Sequence, residues 1–273
     1  MNIWVLIGAA WAGMVVVMLA LWAVQRRTHN AGIVDIGWSF GAAICAAWFA
    51  WAAEGDAMRR TVVAAMALVW GARLGAYLLV RLRDGREDRR YAAMRAKWGD
   101  RTQSYMFLIF QVQAFWAVLF ALPMLVAASN NETGLRWYDA LGVALWAVSM
   151  SGASLADRQL HRFRTNPDNQ GKVCRLGLWR YSRHPNYFFE WLHWWAYVAI
   201  GLAGTFGWLS LLGPAVMLFF LLKVTGIPIT ERALVESRGD AYREYQRTTS
   251  AFIPWPPKKQ GSGADRDNDG NDQ

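Results

Sequence analysis

Residues 175–197 read RLGLWRYSRHPNYFFEWLHWWAY, a basic polar segment joined to an aromatic, apolar one. Pro185 suits the first position of a helix, where its missing N–H costs nothing, so the sequence predicts a helix from His184-Pro185 toward Leu202. Along it Asn186, Glu190, His193 or Trp194, and Tyr197 recur at helical spacing, which puts an amide and a carboxylate on one face and Phe and Trp on the others. A carboxylate one turn inside an apolar helix is costly unless it is used. Glu190 is therefore read as a ligand contact, with simple pairing to a neighbouring Arg as the alternative.

The rest of the chain has the same alternation of apolar runs and charged joints. Of 273 residues 55% are hydrophobic and 17 are Trp, and the charges cluster between stretches of around 20 residues that nearly lack them. That is the length needed to cross a bilayer, and it excludes an ordinary soluble helical protein. The expected fold is all-α and polytopic, with seven transmembrane helices at roughly Ile3–Val24, Ile33–Ala53, Thr61–Leu82, Tyr105–Ala127, Tyr138–Ala156, Asn186–Leu202 and Phe206–Thr225. Basic residues follow spans one, three and five, so the positive-inside bias puts the N-terminus outside and the C-terminus in the cytoplasm. Arg59 and Arg60 are the exception. The net charge of +9 lies in these joints and needs no nucleic acid to explain it. Cys45 and Cys174 give neither a disulfide framework nor metal-ligand spacing, so no metal is expected. The first run starts at Ile3 without a basic leader and is longer than a signal-peptide core, so it is read as a retained span.

Helical rise, about 1.5 Å per residue, allows depths to be compared. Asp35, Arg73, Gln111, Gln113, Asn186 and Glu190 all fall in the cytoplasmic half of their spans, which predicts a polar layer open to the cytosol beneath an apolar outer half. The segment from Asp157 to Arg183 is too charged to be a span and is read as a lid or cofactor loop. It carries Arg158, Arg162, Arg164, Lys172, Arg175, Arg180 and Arg183 around a turn-forming Asn166–Gly171 run. Phosphate is the natural partner of such guanidinium groups, and contact with anionic lipid headgroups is the alternative. No Rossmann or P-loop fingerprint occurs, so a nucleotide would be held partly by the N-terminus of the sixth helix. Glu231 to Tyr245 reads as a charged surface helix interrupted at Gly239, and Phe252 to Trp255 as a segment folding back on the bundle. One domain is expected over residues 1–256, with a disordered polar tail at 257–273.

The run from Asp157 through Tyr197, followed by ERALVESRGDAYREYQRTTSAFIPWPP, resembles bacterial members of the steroid 5α-reductase family. The resemblance implies seven helices enclosing NADPH on the cytosolic side and a 3-oxo-Δ4-steroid nearer the membrane, in the bacterial inner membrane. By it Asp157, Arg164, Lys172, Tyr181, Arg183, His184, Asn186, Glu190, Glu231 and Tyr245 become cofactor-binding residues, together with Arg73 on the third helix and Arg86 in the loop after it. The animal enzymes engage the steroid ketone with a Glu on the second helix and a Tyr on the third; the nearest counterparts here are Asp35 and Trp70. An indole N–H can donate a hydrogen bond but is no acid. Arg183-His184-Pro185-x-Tyr187 with Glu231-Arg232 also resembles isoprenylcysteine carboxyl methyltransferases, which bind S-adenosylmethionine. The abundance of basic residues favours NADPH, since S-adenosylmethionine carries no phosphate. The expectation is an NADPH-dependent reductase of a steroid-like enone. Its partners are a lipophilic small molecule and membrane lipid, with no nucleic acid and no evident obligate protein partner. The alternatives are a methyltransferase of a lipid or prenylated thiol, or a lipid-binding protein with a lapsed site.

Overall fold

A computed structural model of the chain describes residues 2–83 and 87–258, and among these every regular element is helical. The helices are α1 Ile3–Thr28, α2 Ile33–Ala52, α3 Ala57–Arg83, α4 Arg89–Trp98, α5 Thr102–Ala128, α6 Trp137–Thr165, α7 Pro185–Gly201, α8 Leu212–Phe219, α9 Ile227–Arg238 and α10 Asp240–Thr248. Six helical stretches are long and apolar enough to cross a membrane: α1, α2, α3, α6, Arg90–Ala128 and Gly207–Arg238. The helix expected at Pro185 is present as the 17-residue α7, shorter than those six. The last apolar stretch is broken, passing from a 3-10 turn at Gly207–Leu211 through α8 to a π turn at Phe220–Val224. Most of the expected disordered tail lies outside the described residues.

One reading of the charged joints is corrected. α6 runs on to Thr165, so Asp157, Arg158, Arg162 and Arg164 stand on a helix and not in a loop. Nothing in DRQLHRFR breaks a helix, and the first strong stop is Asn166-Pro167, where proline disfavours helical geometry in the residue before it.

The chain divides into two compact units, residues 1–146 with 194–215, and residues 147–193 with 216–273. In the first, α2 packs most extensively on α3 and α5. Many of its buried positions are small, among them Gly41, Ala42, Ala43, Ala46 and Ala50, and Gly71 of α3 lies against Ala43 and the Ser39 carbonyl, so the backbones approach closely where apolar burial gives no driving force in lipid. A Cβ on Gly55 would collide with the Ala128 and Asn130 carbonyls, so that turn requires glycine.

At this end of the unit sits Arg59, a fully buried guanidinium. Its Nε and Nη2 donate to Asp139 at 2.8 and 2.9 Å, and Nη1 and Nη2 reach the carbonyls of Asn130, Glu132 and Gly134 at 2.8, 2.7 and 2.8 Å. Arg60 donates to the Ala50 carbonyl at 2.7 Å and to that of Trp51. The two basic residues that broke the charge alternation thus fasten helix ends. In the second unit, Trp179 Nε1 donates to the Ala156 carbonyl at 3.0 Å and Ser149 Oγ to that of Phe189 at 2.8 Å, while Leu221, Ile227 and Phe252 form a core with Tyr187, Phe188 and Trp191.

Removing one partner of a buried ion pair leaves the other charge stranded, at about 3–5 kcal/mol. Asp139→Asn should therefore lower the thermal unfolding midpoint of the detergent-solubilised protein by many degrees. A midpoint equal to wild type would show that Arg59 does not depend on this carboxylate.

Candidate functional site

Besides the Arg59–Asp139 fastening, the first unit carries a polar cluster around Asp35 and the second one around Glu231. In the first, Asp88 caps α4 by accepting from Arg90 N at 2.9 Å, which starts the helix and presents Arg90 and Tyr91 on its first turn. Arg90 Nη2 donates to Asp35 Oδ2 and the Tyr91 hydroxyl to Asp35 Oδ1, each at 2.8 Å. Asp88 also accepts from Arg90 Nε at 3.0 Å and from Arg81 Nη2 at 2.7 Å. Beside it, Glu87 accepts from Ala31 N at 2.9 Å and Arg95 Nη2 at 3.0 Å, and Arg95 continues to Gln25 Oε1 at 3.1 Å. This network ties the segment after α3 to the α1–α2 turn.

Asp35 therefore accepts on both oxygens. The resemblance sets Asp35 where the family engages the ketone, either as a donor itself or as the group that orients one; here Arg90 and Tyr91 donate to it. Trp70, the other expected catalytic residue, is buried, with its ring edge-on to Trp38 and Trp194 at 6.0 and 5.7 Å. Arg73 lies one turn further along α3, half-buried. Trp38 Nε1 and Gln111 Nε2 are buried without a hydrogen-bond partner among the described residues.

In the second unit the expected residues from α6 and α7 do meet. Asn186 Nδ2, in the first turn of α7, donates to Asp157 Oδ1 on α6 at 3.2 Å, and its own Oδ1 accepts from Tyr187 N at 3.0 Å. Glu190 follows one turn later, half-buried. Pro185 does begin α7, and Ser182 Oγ satisfies the His184 N–H just ahead of it at 3.1 Å.

Glu231 on α9 is the hub of this unit. Its Oε1 accepts from Arg183 Nε at 2.6 Å and Tyr242 OH at 3.4 Å and lies 3.2 Å from His184 Nε2, while Oε2 accepts from Gln246 Nε2 at 2.8 Å. Arg183 Nη1 donates to the carbonyls of Gln246 and Thr249 at 3.0 and 2.5 Å. Tyr245 OH donates to the carbonyls of Trp179 and Ser182. Arg183, His184 and Tyr245 are buried. Arg164, Lys172 and Tyr181 are exposed. Arg86 lies outside the described residues.

Burial alone would raise the Glu231 carboxyl, which stands in the charged α9 end of the Gly207–Arg238 stretch, past the apolar span expected at Phe206–Thr225, but hydrogen bonds from His184, Arg183 and Gln246 and the Arg183 charge overturn that and hold it at about 2. Burial pushes His184 below its ordinary value and outweighs the opposing pull of Glu231.

The sequence reading missed Arg90 and Tyr91 as partners of Asp35, and Tyr242 and Gln246 as partners of Glu231. Asp88 followed by a helix-compatible run was a legible capping signal, but nothing local told which carboxylate that helix would face.

Six membrane-length helices with polar clusters at helix ends define an all-helical integral membrane protein. The chain belongs to the DUF1295 family, described as a protein of unknown function, whose profile matches residues 21–249. It is similar to Uncharacterized protein C594.04c of Schizosaccharomyces pombe, with 26% identity over 270 aligned residues, 86% of this chain and 75% of that protein. No solved structure matches.

The shifts fix a pH dependence. Glu231 is depressed, so its contribution is fully present above its unfolded value near 4.5 and is lost as pH falls toward about 2. His184 acts with the same sign from below 6.5, because the unfolded chain takes up a proton there that the buried ring resists. The unfolding midpoint should thus fall on acidification, and Glu231→Gln should lower it at neutral pH and flatten the acid limb. A variant with the wild-type acid limb would show that Glu231 is not its source.

Proposed function

We propose that this chain is a membrane-embedded, NADPH-dependent reductase of an activated C=C bond in a steroid or similar lipophilic enone. The observation that carries the reading is the pair of buried, unsatisfied donors, Trp38 Nε1 on α2 and Gln111 Nε2 on α5. An unpaired buried N–H costs about 1–3 kcal/mol, so such donors in an apolar bundle suit a ligand carbonyl. Trp38 stands one turn from Asp35 and packs edge-on against Trp70 and Phe120, a lining suited to a flat apolar molecule. The family includes steroid 5α-reductase-like proteins, which agrees with this substrate class.

α7 is read as a seventh span, with the N-terminus outside and the C-terminus cytoplasmic. Supporting this, Trp4, Trp51, Trp137 and Trp208 are all strongly exposed at one end of their unit, as an interfacial aromatic belt would be, and Arg59 at that end is neutralised by Asp139.

The donor set fits a phosphorylated dinucleotide. Asn186, oriented by Asp157, and Glu190 one turn away would hold the carboxamide of the nicotinamide. Arg162 and Lys172 are exposed with no carboxylate partner among the described residues, and with Arg164 they supply cations for phosphate. NADPH, when bound, supplies the hydride for the β-carbon of the enone. Tyr91, oriented by Asp35, would donate to the ketone oxygen as negative charge builds there, while Arg90 keeps the carboxylate paired when the hydroxyl turns away; the resulting enolate would then take a proton from water at the α-carbon to give the saturated ketone. Arg183, Glu231 and Tyr245, already committed to one another and to carbonyls, would hold the nucleotide loop in shape.

The methyltransferase reading keeps one observation in its favour. His184 stacks on Tyr187 with ring centroids 5.3 Å apart and meets Glu231, so the Arg-His-Pro-x-Tyr and Glu elements do gather. It leaves Arg162 and Lys172 without a task.

Purified protein should bind NADPH in preference to S-adenosylmethionine and oxidise it when given a 3-oxo-Δ4-steroid. Asn186→Ala should weaken NADPH binding about tenfold, the loss of one amide–amide hydrogen-bonding group. Tyr91→Phe should lower kcat about a hundredfold with NADPH affinity kept. Tight S-adenosylmethionine binding without NADPH binding would sink the reductase, and a Tyr91→Phe enzyme at full rate would remove Tyr91 from the chemistry.

A further inference from the structure

A groove of about 420 Å³ runs along the second unit, walled by Val148, Ser151 and Leu155 of α6, Phe189 of α7 and Leu178 of the 3-10 turn at Gly177–Arg180. Gly152 makes the room: its missing Cβ is what lets the Phe189 ring lie against α6. Val148 and Leu155 are 54% and 43% exposed, so the groove opens outward on the apolar part of a membrane-length helix. What faces such a wall is hydrocarbon.

One end of the groove is cationic. Arg158 follows Leu155 by three residues and so stands on the same face one turn nearer the helix C-terminus. Its Nε donates to the Ser154 carbonyl at 3.1 Å, which folds the side chain against the rim. The 3-10 turn is pinned to the same place, since Leu178 N donates to Gln159 Oε1 at 2.9 Å and Trp179 Nε1 to the Ala156 carbonyl at 3.0 Å. Arg180 closes the same turn, two residues past the groove-lining Leu178. Both guanidinium groups are exposed, and neither has a carboxylate partner among the described residues. The nearest acid in sequence, Asp157, is buried and takes Asn186.

We infer that this groove is a binding site for an anionic phospholipid of the bilayer. One acyl chain lies along Val148, Ser151, Leu155 and Phe189, and the headgroup phosphate rests between Arg158 and Arg180. An apolar trough ending in two guanidinium groups without a carboxylate partner among the described residues is complementary to a molecule with a long hydrocarbon and a headgroup of net negative charge; a zwitterionic lipid brings its own cation beside the phosphate, and a free nucleotide has no hydrocarbon for the trough. The site is separate from the residues given to the reductase chemistry and does not depend on that reading.

The test uses the full chain in nanodiscs of equal phosphatidylglycerol and phosphatidylcholine, with lipids retained by the released protein counted by native mass spectrometry. Wild type should retain phosphatidylglycerol over phosphatidylcholine by about thirtyfold, the factor two interfacial arginines give. Arg158→Gln with Arg180→Gln should bring the ratio to about one, and Ser151→Phe, which fills the trough from its exposed side, should remove the retained lipid. Arg243→Gln with Arg247→Gln removes the same charge from α10 and should leave the ratio unchanged. Equal retention of both lipids by wild type, an equal loss in the α10 control, full retention by Ser151→Phe, or a second copy of the chain in place of lipid would each overturn the assignment.

Discussion

Hydrocarbon offers no hydrogen bonds, and this one constraint organises the whole chain. A backbone crossing a bilayer must satisfy every N–H and C=O within itself, so long apolar stretches have little choice but to be helices. The same constraint expels charge to helix ends or forces complete pairing. Arg59 shows the second outcome: fully buried, it is met by one carboxylate and three carbonyls, so that a residue seemingly at odds with its position fastens the start of α3 to the α5–α6 connection and the first turn of α6.

Carboxylates at the other helix ends work in the same way but unequally. Asp35 and Glu231 each gather an arginine and a tyrosine, yet Glu231 has four side chains around it, whereas Asp35 orients a single phenol and stands one turn from the Trp38 indole, whose N–H has no hydrogen-bond partner among the described residues. A saturated hub makes a rigid loop; an orienting carboxylate beside unsatisfied donors makes a place for a ligand. That contrast is why the substrate-facing chemistry is assigned near Asp35 and the architectural role to Glu231.

Much of the fold was legible from residue order. Six of the seven expected spans coincide with long apolar helical stretches among the described residues, and Pro185 starts α7 as its imino nitrogen dictates. The charged segment after span five was misjudged because charge was taken as a sign of loop; beyond the bilayer a helix can bear charges on its water-facing side, and only Asn166-Pro167 stops it. Of the site, Asp157 and Asn186 were found together as their motif implied. Arg90 and Tyr91 were not found, since they reach Asp35 across 55 and 56 residues of chain and belong to a short polar helix without an apolar pattern.

By itself the sequence determined the class of protein and the approximate ends of its spans, because hydropathy over some twenty residues and the stereochemistry of proline act locally. It also marked which polar residues were expensive where they stood. The tertiary structure alone decided which groups each of them meets: that Asp35 accepts from Arg90 and Tyr91, that Arg183 is consumed by Glu231 and two carbonyls, and that Arg158 has no acid to meet it among the described residues. Pairing depends on which helix faces which, a property of packing that no local stretch encodes.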